Sequence, residues 1–370
     1  MDEIVLGTLS EKHKLIADKV LNRERINQKE ALILFKEFDL SVLGILANEV
    51  RERINQKFTY FNRNIHIEPT NICIHNCLFC SYSRKINQKG AWEYSLEEIC
   101  NLAKSFIDTD ISEVHIVGGV HPNRTVNYYA ELIQAVKNEL PEVHIKAFTA
   151  AEIEHMAKKA KLDIKAALQK LKDAGLDSIP GGGAEIFDED LRKKICPDKT
   201  NTKEWLEVHR QAHKLQIPSN CTILYGHIES YENRIDHLER LRNLQDETNG
   251  FNAFIPLKYR SSNNEMSYAG EVSTTEDLRN YAVSRIFLDN IPHIKAYWPM
   301  IGKDISVISL SFGVDDLDGT IQDTTKIYTM AGSEEQNPEM SIEEITTLIK
   351  DAGKIPVERN SIYESIKIFK

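Results

Sequence analysis

The amino-acid sequence predicts an α/β protein: a (β/α)8 TIM-type barrel with an N-terminal helical extension and a C-terminal segment packed on the barrel. The main observation is that eight short apolar runs alternate with amphipathic helices over roughly 250 residues. The chain has 370 residues, of which 41% are hydrophobic and 28% charged, as in ordinary globular proteins. A doubly wound open sheet gives the same alternation and is the alternative fold.

Residues 1–60 form the predicted N-terminal helical extension. Asn27 and Glu30 have the spacing of a capping box, which predicts a helix beginning there. The apolar residues Ala31, Leu34 and Phe35 follow it at helical spacing. A second helical stretch runs through Leu43, Ile45, Leu46 and Val50.

Residues 61–325 form the predicted barrel. The candidate strands are Ile65–Pro69, Val114–Val120, His144–Ala150, Ser178–Gly183, Asn220–Gly226, Ala253–Tyr259, His293–Pro299 and Gly313–Leu317. The candidate helices between them begin at Ser95, with Glu98 completing a capping box, or cover Asn127–Leu140, Asp163–Ala174, Thr202–Leu215, Tyr231–Gln245 and Thr275–Leu288. Residues 326–370 form the C-terminal extension, where a helix at Ser341–Ala352 precedes Ile355–Arg359.

Charge and hydropathy narrow the class of protein. The formal net charge is −10, which argues against a nucleic-acid surface. No run of about 18 apolar residues predicts a membrane span, and the first residues lack the apolar core of a signal peptide. Six cysteines are too few for a disulfide scaffold. We therefore expect a soluble cytoplasmic protein; the sequence does not predict its oligomeric state.

Three of the cysteines are grouped directly after the first predicted strand. Cys73, Cys77 and Cys80 follow the spacing C-x3-C-x2-C, and thiolates favour iron–sulfur clusters or zinc. Three thiolates on a [4Fe–4S] cluster leave one iron with an open site. The alternatives are a zinc knuckle that includes His75, or three incidental buried cysteines.

Glycines and polar residues end several of the predicted strands, at the face where barrel active sites form. Gly118 and Gly119 end the second strand and allow a ligand to approach the backbone, although a plain turn explains them as well. Glu185 follows three glycines and suits ribose hydroxyls or a helix N-terminus. Lys199 suits a carboxylate or the surface, and Asn220 begins the next strand.

His227 and Glu229 end the strand that Asn220 begins. A histidine and a glutamate at a barrel mouth are candidates for acid–base catalysis or substrate contact. A lone histidine is more often structural, so both interpretations stay open.

Together these motifs resemble the aminofutalosine synthase family of radical S-adenosylmethionine (SAM) enzymes, from the futalosine route to menaquinone. The resemblance covers most of the chain from His66 to Arg359 and depends on the segments HIEPTNICIHNCLFCSYSR, VGGVHP, IPGGGAEIF, ICPDK, ILYGHIES, QDETNGF, FIPL, DDLDGT and IPVERNSIY. The related dehypoxanthine futalosine cyclase is expected to have Ala-Phe-Tyr where this chain has SYSR. One departure is Cys221, where the family is expected to have a small residue.

The resemblance implies a cluster on Cys73, Cys77 and Cys80, with Phe79 and Tyr82 of the same loop among the cofactor-binding residues. It implies that SAM is a co-substrate whose 5′-deoxyadenosyl radical adds to 3-[(1-carboxyvinyl)oxy]benzoate, giving 6-amino-6-deoxyfutalosine. Methionine and the substrate carboxyl group are released. An external electron donor such as flavodoxin or ferredoxin is expected. The alternatives are a cyclase-like radical SAM enzyme and a non-catalytic cluster- or zinc-binding protein.

Overall fold

Three helices precede the barrel in the computed structural model, which describes residues 9–319, 326–333, 335–336 and 338–370. They are α1 (Glu11–Leu21), α2 (Gln28–Glu37) and α3 (Leu40–Asn55). The predicted capping box of Asn27 and Glu30 starts α2. Helix α3 buries Leu43 and Leu46 completely against the rest of the chain. The N-terminal helices are therefore part of the same hydrophobic core as the barrel.

Parallel strands form a closed barrel. The strands are β1 (Phe58–Asn62), β2 (Asn64–Ile67), β3 (Glu113–Ile116), β4 (His144–Ala147), β5 (Ser219–Tyr225), β6 (Phe251–Lys258), β7 (His293–Ile294) and β8 (Asp316–Gly319). Single parallel bridges at Ser178 and Ile179 connect β4 to β5, and Lys295 bridges to Asp316 of β8. Strand β8 then pairs with β1, which continues through Arg63 into β2. The sheet thus returns to its beginning, which confirms the barrel over the open sheet.

The fourth barrel strand is shorter than the sequence predicts. The prediction covered Ser178–Gly183, but only Ser178 and Ile179 make bridges. Pro180 has no N–H to donate, and Gly181 has a φ of 84°, so the ladder ends there. The seventh strand also ends early, since Trp298 begins a helix with Pro299 in its first turn. The eighth begins at Asp316 because the chain turns at Gly313.

Helices cover the outside of the barrel. They are α4 (Leu96–Lys104), α5 (Val126–Glu139), α6 (Ala150–Ala160), α7 (Ile164–Asp173), α8 (Glu189–Ile195), α9 (Thr202–Lys214), α10 (Tyr231–Thr248), α11 (Thr274–Phe287), α12 (Trp298–Ile301), α13 (Lys303–Ser309) and α14 (Ile327–Met330). Ser95 and Glu98 cap α4 as predicted. Helices α6 and α8 were not predicted; the capping box of Thr149 and Glu152 starts α6 where the prediction continued a strand.

The C-terminal segment adds to the sheet. It contains α15 (Ile342–Asp351), β9 (Ile355–Arg359) and β10 (Ser365–Ile368). Strand β9 pairs parallel with β1, and β10 pairs antiparallel with β9. The division at residues 60 and 325 stays a prediction, and its second boundary lies outside the described residues. Among the described residues, no helix is long and apolar enough to cross a membrane.

Candidate active site

A cavity of about 270 Å³ occupies the barrel interior and opens at the carboxyl ends of the strands. Ten of the predicted site residues line it: Cys73, Cys77, Phe79, Cys80, Tyr82, Gly118, Gly119, Glu185, Lys199 and Asn220. The fold therefore brings together residues that are spread over about 150 positions of the sequence. His227 and Glu229 are not among the residues that line the cavity.

The cysteine loop is held by hydrogen bonds to its own backbone and to the end of β3. The backbone N–H of Cys73 donates to the carbonyl of Arg84 at 2.9 Å, and that of Ile74 donates to Val120 at 2.9 Å. The Tyr82 hydroxyl donates to the carbonyl of Thr70 at 3.0 Å. Lys85 donates to three consecutive loop carbonyls at distances of 2.8 to 3.1 Å. These bonds fix the loop before any ligand is considered.

The thiols of the loop suit a metal cluster. All three are free, and burial raises the pKa of Cys73 and Cys77, so a bound cation is needed to stabilise the thiolates. Among the described residues, no three His, Cys, Asp or Glu side chains converge as one metal ion requires. A zinc knuckle with His75 is therefore not supported, whereas a cluster with several irons spaces its ligands more widely.

Gly118 and Gly119 allow the cysteine loop to approach β3. A Cβ added at Gly119 would lie 2.3 Å from the carbonyl oxygen of Ile72, and one at Gly118 would lie 2.8 Å from that of Thr70. The N–H of Gly119 donates to Thr70 at 2.7 Å. The structure thus explains both glycines by contact with the loop, and their predicted contact with SAM stays a prediction.

Glu185 and Lys199 form a buried ion pair beside the cysteines. The Lys199 ammonium lies 2.6 Å from a Glu185 carboxylate oxygen and 5.9 Å from the centre of the Phe79 ring. Burial opposes the charge of Lys199, but Glu185 and two neighbouring cysteines raise its pKa. Glu185 has a φ of 50°, a left-handed conformation that is uncommon outside glycine and frequent at functional sites. Both side chains are available to polar groups of a ligand in the cavity.

Asn220 lies on β5, against the glycine turn that precedes Glu185. Its carbonyl oxygen would be 2.1 Å from a Cβ at Gly181, so the turn needs glycine there. The neighbouring Thr222 hydroxyl donates to the Gly181 carbonyl at 2.9 Å. Asn220 is 3% exposed and faces the cavity.

His227 and Glu229 belong to a separate buried network. Arg234 of α10 donates to Glu229 at 2.8 Å, and Glu229 also accepts the N–H groups of Gly226 and His227. The His227 ring lies 3.2 Å from Glu229 and 3.2 Å from the Leu224 carbonyl. This geometry gives no support to the predicted direct contact between these two side chains and a substrate.

Several cavity residues were not predicted. They are polar side chains that point into the barrel: His66, Glu113, His115, Lys146, Lys295 and Asp318. A detectable signal exists, because the strands EVHI and HIKA alternate polar and apolar residues. In a barrel covered by helices, the polar members of such a strand must face the interior.

Comparison with known proteins identifies the class. The Radical SAM superfamily model matches residues 67–241, and that of the CofH/MqnC C-terminal region matches 248–370. Methylornithine synthase superimposes with a TM-score of 0.73 at 19% identity, covering 92% of this chain and 97% of that one. The FeFe-hydrogenase maturase HydG from Carboxydothermus hydrogenoformans gives 0.75 at 19% identity, covering 97% and 83%. The protein is a radical SAM enzyme, using a [4Fe–4S] cluster and SAM.

Closer relatives identify the family. The chain is 44% identical to the aminodeoxyfutalosine synthase of Thermus thermophilus, over 96% of both proteins. It is 40% identical to that of Streptomyces coelicolor, over 95% of this chain and 93% of the relative. A 5-amino-6-(D-ribitylamino)uracil–L-tyrosine 4-hydroxyphenyl transferase from Methanopyrus kandleri is 38% identical, over 87% and 88%. The chain belongs to the aminodeoxyfutalosine synthase family.

Proposed function

We propose that the enzyme transfers the 5′-deoxyadenosyl group of SAM to 3-[(1-carboxyvinyl)oxy]benzoate. The products are 6-amino-6-deoxyfutalosine, methionine and the carboxyl group lost from the substrate. The observation that carries this proposal is the identity of 44% and 40% to two aminodeoxyfutalosine synthases over nearly the whole chain.

In this proposal Cys73, Cys77 and Cys80 bind the cluster as thiolates. When bound, the cluster supplies the electron that cleaves SAM. The backbone at Gly118 and Gly119 binds the methionine part of SAM, as the family resemblance implies.

Other residues orient the co-substrate. The Glu185 carboxylate accepts hydrogen bonds from the ribose hydroxyls, while Lys199 fixes that carboxylate and Phe79, Tyr82 and Asn220 complete the wall. His227 and Glu229 enter as positioning residues at the end of β5, since they bond to each other and to the backbone.

The cavity walls exclude water from the reacting groups. Tyr297 and Tyr328 lie 4.8 Å apart between ring centres on one side, and Ile255 and Leu257 line another. A radical that reached water or a mobile side chain would be quenched, so a closed apolar wall protects it.

An external one-electron protein such as flavodoxin or ferredoxin is the proposed reductant. The cysteine loop ends in the exposed residues Lys85 and Lys89, on a chain whose net charge is −10. Basic residues beside the cluster suit an acidic donor. All six cysteines are free, which supports the predicted cytoplasmic location.

An anaerobic assay with adenine-labelled SAM, a reductant and the enol-ether benzoate tests the function. The label should appear in a product that contains both adenosine and the benzoate ring. The Cys77→Ala variant is the control and should form no product. If all the label leaves as 5′-deoxyadenosine while substrate is consumed, the transfer reaction is wrong and a cyclase-like reaction replaces it.

A further inference from the structure

The inner part of the cavity contains buried ion pairs where such barrels usually hold branched apolar side chains. Lys146 on β4 lies 2.6 Å from Glu113 on β3, and Lys295 lies 2.5 Å from Asp318 on β8. No side chain of the four is more than 9% exposed. Because the desolvation of buried charges can exceed the energy of their pairing, stability alone is a weak explanation for them.

Both lysines have N–H groups to spare. An ammonium has three donors, and among the described residues Lys146 has one hydrogen-bond acceptor, Glu113. Lys295 likewise has Asp318, with Asp316 further away at 4.0 Å. Both side chains line the cavity, so their remaining donors are available to a ligand.

The two lysines act on the same region. Burial opposes the ionisation of Glu113, but Lys146 and Lys295 together hold its pKa well below the usual value. One carboxylate therefore experiences the charge of both lysines. A ligand carboxylate that bound there would meet two cations and compete with Glu113 and Asp318.

This cationic region lies far from the cysteines. Lys146 is opposite His115 in the strand ladder, and His115 precedes Gly118 by three residues. At about 3.3 Å per residue, the lysine backbone lies roughly 10 Å below the glycine segment that contacts the cysteine loop. A substrate that reacts near the cysteines must therefore extend its far end to reach the lysines.

Aromatic side chains lie nearby. The Tyr297 ring is nearly parallel to that of His66, with centres 6.3 Å apart, and His66 lies 3.3 Å from a nitrogen of His115. The other nitrogen of His115, Nε2, is buried and has no partner among the described residues. These rings suit a flat aromatic ligand with a polar group close to His115.

We infer that Lys146 and Lys295 form an anion subsite for the ring carboxylate of an aromatic dicarboxylate. This inference rests on the proposed function, in which the enol-ether carboxylate stays beside SAM. The ring carboxylate is then the one that reaches the inner end of the cavity.

Equilibrium binding to the reconstituted holoenzyme with SAM, in the absence of reductant, tests the subsite. The probes are 3-[(1-carboxyvinyl)oxy]benzoate and 2-phenoxyacrylate, which lacks the ring carboxylate. Lys295→Met should weaken binding of the benzoate about tenfold or more and leave 2-phenoxyacrylate unchanged. Glu113→Gln should leave benzoate binding equal or tighter, because a competing carboxylate is removed. Equal weakening of both probes by Lys295→Met, or weaker benzoate binding by Glu113→Gln, overturns the inference.

Two further variants separate binding from folding. Lys146→Met leaves Glu113 buried without its partner, so it is combined with Glu113→Gln; the double variant should discriminate against the benzoate as Lys295→Met does. Lys258→Met is the matched control, because the Lys258 ammonium lies 2.8 Å from Asp277 of the outer helix α11. It should affect both probes equally.

The labelled-SAM assay is independent of this result. Discrimination without adenosyl transfer retains the subsite and rejects the proposed function. Adenosyl transfer without discrimination rejects the subsite alone.

Discussion

Replacing Gly119 with alanine should prevent the cysteine loop from keeping the conformation that binds the cluster. The added Cβ would lie 2.3 Å from the Ile72 carbonyl oxygen, below the 3.0 Å that real contacts respect. The oxygen belongs to the backbone of the loop, so the loop itself must retreat by about 0.7 Å. Overpacking of this kind costs typically 1–3 kcal/mol. Since Cys73 follows Ile72 directly, the displacement reaches the first thiol.

Anaerobic reconstitution followed by iron and sulfide analysis measures the effect. We expect the Gly119→Ala variant to fold but to retain only a small part of the iron that the unaltered protein binds. Gly182→Ala is the matched control, because its Cβ would meet only the side-chain methyl of Thr149, at 2.9 Å, which is free to move. Full cluster loading of Gly119→Ala, at unchanged thermal stability, would refute the reasoning.

Three other substitutions test the site and the fold. Cys77→Ala should abolish SAM cleavage, whereas Cys100→Ala, outside the loop, should leave it intact; normal turnover of the first variant contradicts the ligand assignment. Glu185→Gln should weaken SAM binding roughly tenfold or more with an unchanged cluster spectrum, and an unchanged affinity would return Glu185 to a structural role. Burial lowers the pKa of His237 from 6.5 to about 3. The unfolded chain therefore binds a proton below pH 6.5 that the folded chain refuses, and stability falls as the pH falls. At pH 5 the loss is about 2 kcal/mol, so urea unfolding at pH 7.5 and 5 should show a smaller loss for His237→Gln, and equal losses would contradict this.

The barrel and the cysteine loop could be predicted because both are encoded locally. Alternating apolar runs indicate strands, and the spacing of Cys73, Cys77 and Cys80 is short enough to read without the fold. Strand ends were less predictable. In the fourth strand, Pro180 and Gly181 end the ladder although the apolar pattern continues into them.

The inner part of the site could not be placed from the sequence. Lys146 and Lys295 are almost 150 positions apart, and only closure of the barrel shows that both act on Glu113. His227 illustrates the opposite error. Its position at the end of β5 suggests the cavity, but Glu229 and Arg234 hold this corner of the chain in a network of its own.

The position of β1 between β8 and β9 has a consequence for how the chain folds during synthesis. Tyr60 pairs with Asp316 on one side and with Val357 on the other, so neither partner exists until most of the chain has been made. Contacts this distant in sequence are formed late and slow the folding of a domain. Until then β1 has two unpaired edges, and such edges invite aggregation. The last residues of the protein thus complete the pairing of one of its first strands.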